Sequence, residues 1–283
     1  MKARPTETIE AVRAEIAAAR RQDLTIGLVP TMGALHVGHG ALIERARREC
    51  GWVVVSIFVN PLQFGPAEDF ESYPRDLAAD VAFCRARGVD AIFAPAASVM
   101  YAEPSRTFVE VEGVGEYLCG PSRPGHFRGV ATVVLKLFNI IAPDRAYFGE
   151  KDAQQLKMIE RMTRDLNLPL IVVPVPTVRE KDGLAVSSRN RYLTPEQRQA
   201  ATALFRALSA GRERVEAGER DSAVVRRASL EILEAEPQAE TEYLEIVDSE
   251  EMRPVEAIHG PVRIATAVRI GSTRLIDNMV CGG

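Results

Sequence analysis

A chain of 283 residues with 46% apolar and 26% charged residues has the composition of a folded protein, as one large domain or two moderate ones. Its formal net charge of −4 gives no general attraction to nucleic acid or to anionic membranes. No apolar run approaches the roughly 20 residues of a membrane span, and the charged N-terminus lacks the apolar core of a signal peptide. The four scattered cysteines favour reduced thiols over a zinc site. We therefore expect a cytoplasmic protein without nucleic-acid or membrane partners.

The first two-thirds of the chain alternates predicted helices and strands. An amphipathic helix comes first, with Ile9, Val12 and Ile16 at helical spacing. Strands are then predicted at 24–29, 52–59, 90–94, 107–111, 146–148 and 170–175, and helices at 39–50, 76–88, 129–142 and 152–166. Continuous apolar runs, of which 53–59 is the clearest, are typical of parallel strands covered on both faces. The alternation predicts an α/β fold with a doubly wound, Rossmann-like parallel sheet.

The pattern changes beyond residue 177. Thr194 is a predicted N-cap, followed by proline and by Gln197 in a capping box, for a helix running to about residue 218. Asp221 can cap a second helix that reaches toward residue 237. Strands are predicted at 242–247, 262–270 and 274–277. We therefore expect a larger, Rossmann-like domain at 1–177 and a smaller C-terminal α+β domain at 178–283.

The segment Pro30–His39, with the sequence PTMGALHVGH, links the first predicted strand to a helix. Such a junction offers backbone N–H groups and the positive end of the helix dipole to an anion. Glycines at 33 and 38 would let the backbone approach a phosphate closely. Two of the chain's four histidines, His36 and His39, share one face of the entering turn. The alternative is a turn whose histidines only cap the helix.

Two further blocks carry polar groups suited to a nucleotide. In 148–155, with the sequence FGEKDAQQ, Lys151 can reach a phosphate, and Asp152 can accept from ribose hydroxyls or bind a metal. The alternative for this block is a solvated turn. In 185–190, with the sequence AVSSRN, two hydroxyls and a guanidinium offer hydrogen-bond donors to a triphosphate. The alternative there is a polar interdomain loop.

Two weaker clusters complete the set. The segment 59–65 follows the longest apolar strand, and its Gln63 is an uncharged hydrogen-bonding group that suits a hydroxylated substrate better than a phosphate. The segment 123–128, RPGHFR, precedes the apolar helix.

Together these blocks resemble the pantoate–β-alanine ligase (pantothenate synthetase) family. The matching stretches are 29–39, 56–64, 73–75, 122–129, 148–155, 184–193 and 275–278, so the resemblance covers nearly the whole chain. The family belongs to the HxGH nucleotidyltransferase superfamily. The resemblance implies an AMP-forming ligase that condenses pantoate with β-alanine through a pantoyl adenylate, using ATP as substrate with Mg²⁺ and releasing pyrophosphate. It also implies a homodimer, an ATP- and pantoate-binding catalytic domain at 1–177 and a lid role for the domain at 178–283.

The resemblance further implies roles for individual residues. The expected catalytic groups are His39, His36 and Lys151. The expected ATP-binding residues are Met32, Gly33, Ala34, Leu35, His36, Val37, Gly38, His39, Gly149, Glu150, Lys151, Asp152, Val178, Val186, Ser187, Ser188 and Arg189. The expected substrate-binding residues are Gln63, Gln155, Asn60 and Tyr73, with Arg123 and His126 on the pyrophosphate or β-alanine side. Asp80 is a candidate Mg²⁺ ligand; the alternative is a solvated helix carboxylate.

Two other functions remain open from the sequence. A nucleotidyltransferase of the same superfamily with another acceptor, such as a cytidylyltransferase, would share the phosphate segment but not the pair Gln63 and Gln155. A nucleotide-binding regulatory module would bind ATP without turnover. Retention of Lys151, both histidines and both glutamines favours the enzyme.

Overall fold

The computed structural model describes residues 3–66 and 68–282. Residues 1–2, 67 and 283, which belong to the predicted domain ranges, lie outside the described residues. The chain divides into two compact units: Met1–Glu112, Arg123–Glu150 and Met158–Pro176 form the first, and Gly113–Ser122, Lys151–Lys157 and Thr177–Gly283 form the second. The main division falls next to the predicted boundary at 177, but two short segments of the N-terminal part belong to the second unit.

The first unit is built on one six-stranded, all-parallel sheet. In chain order its elements are β1 (Pro5–Thr6), α1 (Ile9–Arg20), β2 (Ile26–Thr31), α2 (Val37–Glu49), β3 (Trp52–Ile57), α3 (Leu77–Ala86), β4 (Ala91–Phe93), α4 (Ala97–Met100), α5 (His126–Ile141), β5 (Arg145–Gly149), α6 (Ala153–Asp165) and β6 (Ile171–Val175). Short 3₁₀ turns cover Pro61–Gln63 and Glu150–Asp152, and residues 151–157, which include the first residues of α6, belong to the second unit. The strand order is β1-β4-β3-β2-β5-β6, which confirms the doubly wound parallel sheet.

The core of this sheet follows from its apolar central strands. Val53, Val54 and Val55 of β3 have no solvent exposure because they are covered on both faces. Helix α5 is buried on nearly all sides, as predicted, although it begins at His126, three residues earlier than expected.

One predicted strand, 107–111, is wrong. These residues form no strand, and the amide of Val109 is bonded to the Thr132 hydroxyl of α5, at 2.9 Å. The side chain of Phe108 is partly exposed beneath the Arg128 guanidinium. The alternation of apolar and polar residues there reflects packing along α5 instead of sheet pairing.

The second unit packs helices against a three-stranded antiparallel sheet. Its elements are α7 (Pro195–Ala200), α8 (Thr202–Glu216), α9 (Ser222–Glu234), β7 (Ala239–Asp248), β8 (Val262–Ile270) and β9 (Thr273–Cys281), with a 3₁₀ turn at Ser188–Tyr192. The predicted capping box of Thr194 and Gln197 is present. The single helix expected there is divided at Ala201, where Leu204 donates to the Ala201 carbonyl in a tighter turn. The small α+β arrangement is confirmed; β8 has the predicted bounds, whereas β7 and β9 are longer than predicted.

None of the helices in the described residues has the length and hydropathy needed to cross a membrane. The four cysteines are free thiols.

Candidate functional site

The segments that carry the two strongest motifs follow adjacent strands of the first unit. Strand β2 pairs with β3 on one side and with β5 on the other, and the chain order reverses between β2 and β5. In open parallel sheets this switch point, at the carboxyl ends of the strands, is where ligands bind. Pro30–His39 begins in the last residues of β2, and Gly149 is the last residue of β5. Both segments therefore lie at the place where this fold class positions a nucleotide.

The turn after β2 has an unusual backbone. Gly33 and Ala34 are both left-handed, with φ values of +82° and +51°. Glycine adopts this conformation freely, whereas alanine does so at a cost of about 1 kcal/mol or more. Thr31 braces the turn from one side, because its hydroxyl donates to Ser56 O at 2.7 Å and accepts the Gly33 amide at 3.2 Å.

Asp80 of α3 braces the same turn from the other side. Its carboxylate oxygens accept the amides of Ala34 at 3.0 Å and Leu35 at 2.8 Å. The side chain is only 4% exposed, so the alternative of a solvated helix carboxylate is wrong. A Cβ placed on Gly33 would come within 2.8 Å of an Asp80 oxygen, so the glycine is needed for this close approach as well as for its backbone conformation.

These contacts show which backbone groups of the motif are already bonded within the protein. The sequence predicted that backbone N–H groups of this segment would meet a phosphate. In the structure the amides of 33, 34, 35, 36 and 38 each have an acceptor within the protein. The side chains of the motif are therefore candidates to bind an anion as well, and a phosphate contact of its backbone stays a prediction.

The two histidines are ordered by the start of α2. His36 is its N-cap and accepts the Gly38 amide through Nδ1 at 3.1 Å, while the His36 amide donates to His39 Nδ1 at 3.3 Å. A backbone N–H can only donate, so both Nδ1 atoms are acceptors and both neutral rings carry their proton on Nε2. The ring centroids lie 4.1 Å apart. The predicted capping role is thus real, and it leaves two Nε2–H donors side by side.

Glycine at position 38 has a steric reason. A Cβ there would lie 2.9 Å from the Cε1 atom of the His36 ring. The glycine of the H-x-G-H pattern makes room for the first imidazole, and its role in admitting a phosphate stays a prediction.

Gln63 lies in a network whose amide orientations are determined by backbone groups. Asn60 Oδ1 accepts the Leu62 amide and the Tyr101 hydroxyl, and Asn60 Nδ2 donates to Gly129 O at 3.1 Å. Nδ2 therefore also donates to Gln63 Oε1, at 3.1 Å, and Gln63 presents its Nε2 donor toward Met32 Sδ at 2.9 Å. A thioether is a weak acceptor, so this donor can exchange sulfur for a substrate oxygen at little cost.

Tyr73 is buried in an aromatic cluster next to this network. Its ring meets Phe64 edge-on at 5.9 Å, and Phe64 meets Phe70 at 5.3 Å. The cluster forms an apolar wall behind the 3₁₀ turn that carries Gln63.

Arg123 and His126, predicted to contact substrate, are bonded to protein groups. Arg123 makes two hydrogen bonds of 2.7 Å to the carboxylate of Glu68, and its Nη1 donates to His126 Nε2 at 2.9 Å. Because Nε2 accepts, His126 carries its proton on Nδ1, which donates to the Gln63 carbonyl at 2.8 Å. The chain Glu68–Arg123–His126 therefore holds the backbone of Gln63, and a direct substrate contact of either residue stays a prediction.

In the second unit, two successive glutamines at the start of α6 have different surroundings. Gln154 is buried; its Nε2 donates to the carbonyls of Val114 and Tyr117, and its Oε1 accepts from Cys119. The next residue, Gln155, is only half-buried and remains the candidate for substrate contact.

The other predicted ATP-binding residues of this unit form a second local group. Val186 donates its amide to the Val178 carbonyl at 2.9 Å, so these two candidates are paired. Ser187 caps the following 3₁₀ turn by accepting the Arg189 amide at 3.3 Å, which leaves the serine O–H proton available to donate.

Two residues of β9, Asp277 and Asn278, bind residues in or next to the candidate segments. No individual role was predicted for either of them. The Asp277 carboxylate, 1% exposed, forms a two-pronged ion pair with Arg179 at 2.6 and 2.9 Å. Asn278 donates to the Lys151 carbonyl at 2.9 Å and accepts from Arg263. The stretch 275–278 belongs to the family resemblance, and that was the only signal in the sequence for these positions.

No resident metal site emerges from the described residues. No group of three or more His, Cys, Asp or Glu side chains among them could hold a metal ion. Both oxygens of Asp80, the predicted Mg²⁺ ligand, accept backbone amides in a buried setting. This donor set does not fit a resident Mg²⁺ ion.

The parallel sheet, its switch point and the paired histidines define a nucleotide-binding α/β protein of the HxGH type. The model of the family described as pantoate-beta-alanine ligase matches residues 4–280. The chain therefore belongs to the pantoate–β-alanine ligase family.

Individual relatives are similar to this chain in sequence or structure over nearly their whole length. The chain is 57% identical over 274 residues to the pantothenate synthetase of Moorella thermoacetica, with 97% of each chain covered. The crystal structure of pantothenate synthetase from Thermus thermophilus superposes with a TM-score of 0.93 at 50% identity, covering 98% of each chain. A pantoate–β-alanine ligase from Francisella tularensis, solved in complex with beta-gamma ATP and beta-alanine, has a TM-score of 0.80 at 32% identity and covers 98% of this chain and 97% of its own.

Proposed function

We propose that this chain condenses pantoate with β-alanine at the expense of ATP, through a pantoyl adenylate, releasing AMP and pyrophosphate. Family membership over 4–280 supports the reaction. The observation that carries the mechanism is the pair of imidazoles at the switch point, whose Nδ1 atoms are held by backbone amides. Their Nε2–H groups are preorganised donors for phosphate oxygens, which is the form of catalysis that adenylation needs.

In the first step, a carboxylate oxygen of pantoate attacks the α-phosphorus of ATP. A new P–O bond forms, the bond to the bridging oxygen breaks, and pyrophosphate leaves with the bonding electrons. No protein nucleophile is required, so catalysis consists of positioning and charge stabilisation. His39 and His36 donate hydrogen bonds where negative charge grows on the phosphates. Being neutral, they stabilise this charge without giving up a proton.

Lys151 adds a positive charge for the same phosphates. Its backbone carbonyl accepts a hydrogen bond from Asn278, which holds the backbone from which the side chain extends. In the second step the β-alanine amine attacks the acyl carbon of pantoyl adenylate. The C–N bond forms, the acyl C–O bond breaks with AMP taking the bonding electrons, and the nitrogen releases its proton to solvent.

Gln63 is proposed to bind pantoate through its Nε2 donor, because the Asn60 network already holds the Oε1 end. Gln155 is the second proposed pantoate contact, and Asn60 and Tyr73 shape the pocket. A site built from uncharged donors recognises hydroxyl and carboxylate oxygens without attracting phosphate, which suits a small hydroxy acid. The segment Gly149–Asp152 and residues Val178 and Val186–Arg189 are proposed to contact ATP.

Magnesium is proposed to arrive as part of the substrate, bound to the ATP phosphates. A homodimer and a cytoplasmic location are likewise proposed; the free thiols suit a reducing compartment. Light scattering of the purified protein tests the dimer, because a monomer at micromolar concentration would contradict it.

The direct test is product formation with each substrate omitted in turn. We expect AMP, pyrophosphate and pantothenate only when ATP, pantoate and β-alanine are all present. AMP release with other acids but not with pantoate would favour a related nucleotidyltransferase. Tight ATP binding without AMP under any of these conditions would favour the regulatory module.

A further inference from the structure

Asp80 is not among the residues proposed to bind ATP or pantoate, although its side chain contacts the segment Pro30–His39. It belongs to α3, while the residues that it binds follow β2, 45 and 46 positions earlier in the chain. Its carboxylate is buried and directed at backbone amides. The Asp80 carboxylate thus places a buried negative charge beside a loop that is proposed to bind the polyanion ATP.

The turn that Asp80 holds has a backbone conformation that is costly for a non-glycine residue. It combines two successive left-handed residues, and the second is Ala34, at φ +51°. Such conformations persist where the surroundings over-determine them. Asp80 supplies that constraint, because an ionised carboxylate accepting two N–H groups makes strong, directed hydrogen bonds.

The consequence reaches the imidazoles because the turn leads directly into His36. Leu35, whose amide Asp80 accepts, precedes the N-cap of α2. The direction of the chain at that point sets where the His36 amide lies, and this amide holds His39 Nδ1. A change in the turn would therefore move the amide that holds His39 Nδ1 and the backbone from which the His36 ring extends.

We propose that Asp80 is a positioning residue for the adenylation step, which clamps the turn at Ala34 and Leu35 so that the two histidine Nε2–H donors are presented to ATP, and that it is not a ligand of Mg²⁺. The role in adenylation rests on the proposed function. The clamp itself does not, and it can be measured without activity.

The variant for the test is Asp80→Asn, which keeps the shape of the side chain but turns one acceptor into an NH₂ group facing a backbone N–H. Its matched control is Asp76→Asn on the same helix. Asp76 is the exposed N-cap that accepts the Ala79 amide, and asparagine caps equally well.

The first readout is the tautomeric state of the histidines, from long-range ¹H–¹⁵N spectra of the four imidazoles. We expect the Nε2–H form for residues 36 and 39 in the wild type and in Asp76→Asn, and a shift or mixture of tautomers in Asp80→Asn. Unchanged spectra for both rings in Asp80→Asn would overturn the clamp, whether or not the chain makes pantothenate.

The second readout is pantoate-dependent exchange of pyrophosphate into ATP, in Asp80→Asn, His39→Ala and the double variant. We expect Asp80→Asn to lower the exchange rate by about 10- to 100-fold and to have much less effect once His39 is absent, because both changes remove the same contribution. The Mg²⁺ concentration for half-maximal rate should stay within about two-fold. Additive losses would indicate a merely structural role, and a Mg²⁺ requirement raised by 10-fold or more would indicate a metal ligand; either contradicts the proposal.

If the wild type supports no exchange while the histidine spectra respond as expected, the proposed function fails and the clamp stands. If the wild type exchanges normally while Asp80→Asn matches it in rate and spectra, the clamp fails and the function stands.

Discussion

Gly129 allows a close contact between α5 and the 3₁₀ turn that carries Gln63. A Cβ on this glycine would lie 2.7 Å from the Gln63 nitrogen and closer still to the carbonyl of Leu62, although real Cβ atoms essentially never approach within 3.0 Å. The atoms in the way are backbone and cannot rotate aside. Gly129→Ala must therefore displace the turn or the helix.

Two effects of opposite sign decide the outcome. Alanine in a helix interior is worth about 1 kcal/mol relative to glycine. Overpacking against fixed backbone costs roughly 1–3 kcal/mol or more, and here it also threatens the bond from Asn60 to the Gly129 carbonyl. We expect a net loss of roughly 1–2 kcal/mol. Relief of the overlap shifts the Gln63 turn by about 1 Å, enough to reduce pantoate use by about 10- to 100-fold.

The assay combines urea unfolding with exchange kinetics at varied pantoate and fixed ATP. The control is Gly260→Ala, where an added Cβ has no atom within 4 Å. A Gly129→Ala protein that is more stable than the wild type and uses pantoate normally would refute the steric reasoning.

Three other predictions follow from the same geometry. His39→Ala should reduce adenylate formation by roughly 10²–10³ with the fold intact, the scale for losing one preorganised donor; rapid-quench measurement of pantoyl adenylate checks it. Gln63→Ala should raise the pantoate concentration for half-maximal rate by about 10- to 100-fold and change ATP affinity little, as separate titrations would show. Hydrogen bonds from Arg274 lower the pKa of Glu242 to about 2, so this carboxylate stabilises the fold above about pH 4.5 and loses that contribution as the pH falls toward 2. Glu242→Gln should therefore cost roughly 1–3 kcal/mol at pH 7, with the difference from wild type shrinking between pH 5 and 2 in urea-unfolding curves.

Each of these variants has a control elsewhere in the chain. His259→Ala and Gln238→Ala change exposed side chains of the second unit and should leave kinetics unchanged. Glu240→Gln changes an exposed carboxylate on the same strand as Glu242. A near-normal adenylation rate in His39→Ala, equal effects of Gln63→Ala on both substrates, or a pH-independent cost of Glu242→Gln would each contradict the corresponding role.

Most elements of the fold could be predicted from local sequence patterns. Continuous valines at 53–55 predict a strand buried on both faces, and the Thr194 capping box predicts a helix start; both are confirmed. The strand predicted at 107–111 fails because residue pattern alone does not show whether a neighbouring strand is available. Its Val109 amide pairs with a hydroxyl of α5, 23 residues away.

The parts of the site that escaped prediction are those made by distant pairs. The sequence around Pro30–His39 predicted an anion-binding turn, but it could not show that the amides of Ala34 and Leu35 donate to Asp80, 46 and 45 residues away. The role of His126 depends on a carbonyl 63 residues away, and the anchoring of Lys151 depends on Asn278, 127 residues away. Spacing along the chain carries no information on such partners, whereas residue types within a short motif do.

Central to the proposed mechanism is the activation of pantoate by this chain as an acyl adenylate. Exchange of labelled pyrophosphate into ATP by the wild-type protein, with pantoate present and β-alanine absent, tests that claim most directly. We predict exchange that requires pantoate, because the adenylation step is reversible and needs no amine. Exchange that is supported by other acids or alcohols but not by pantoate would contradict the proposed mechanism.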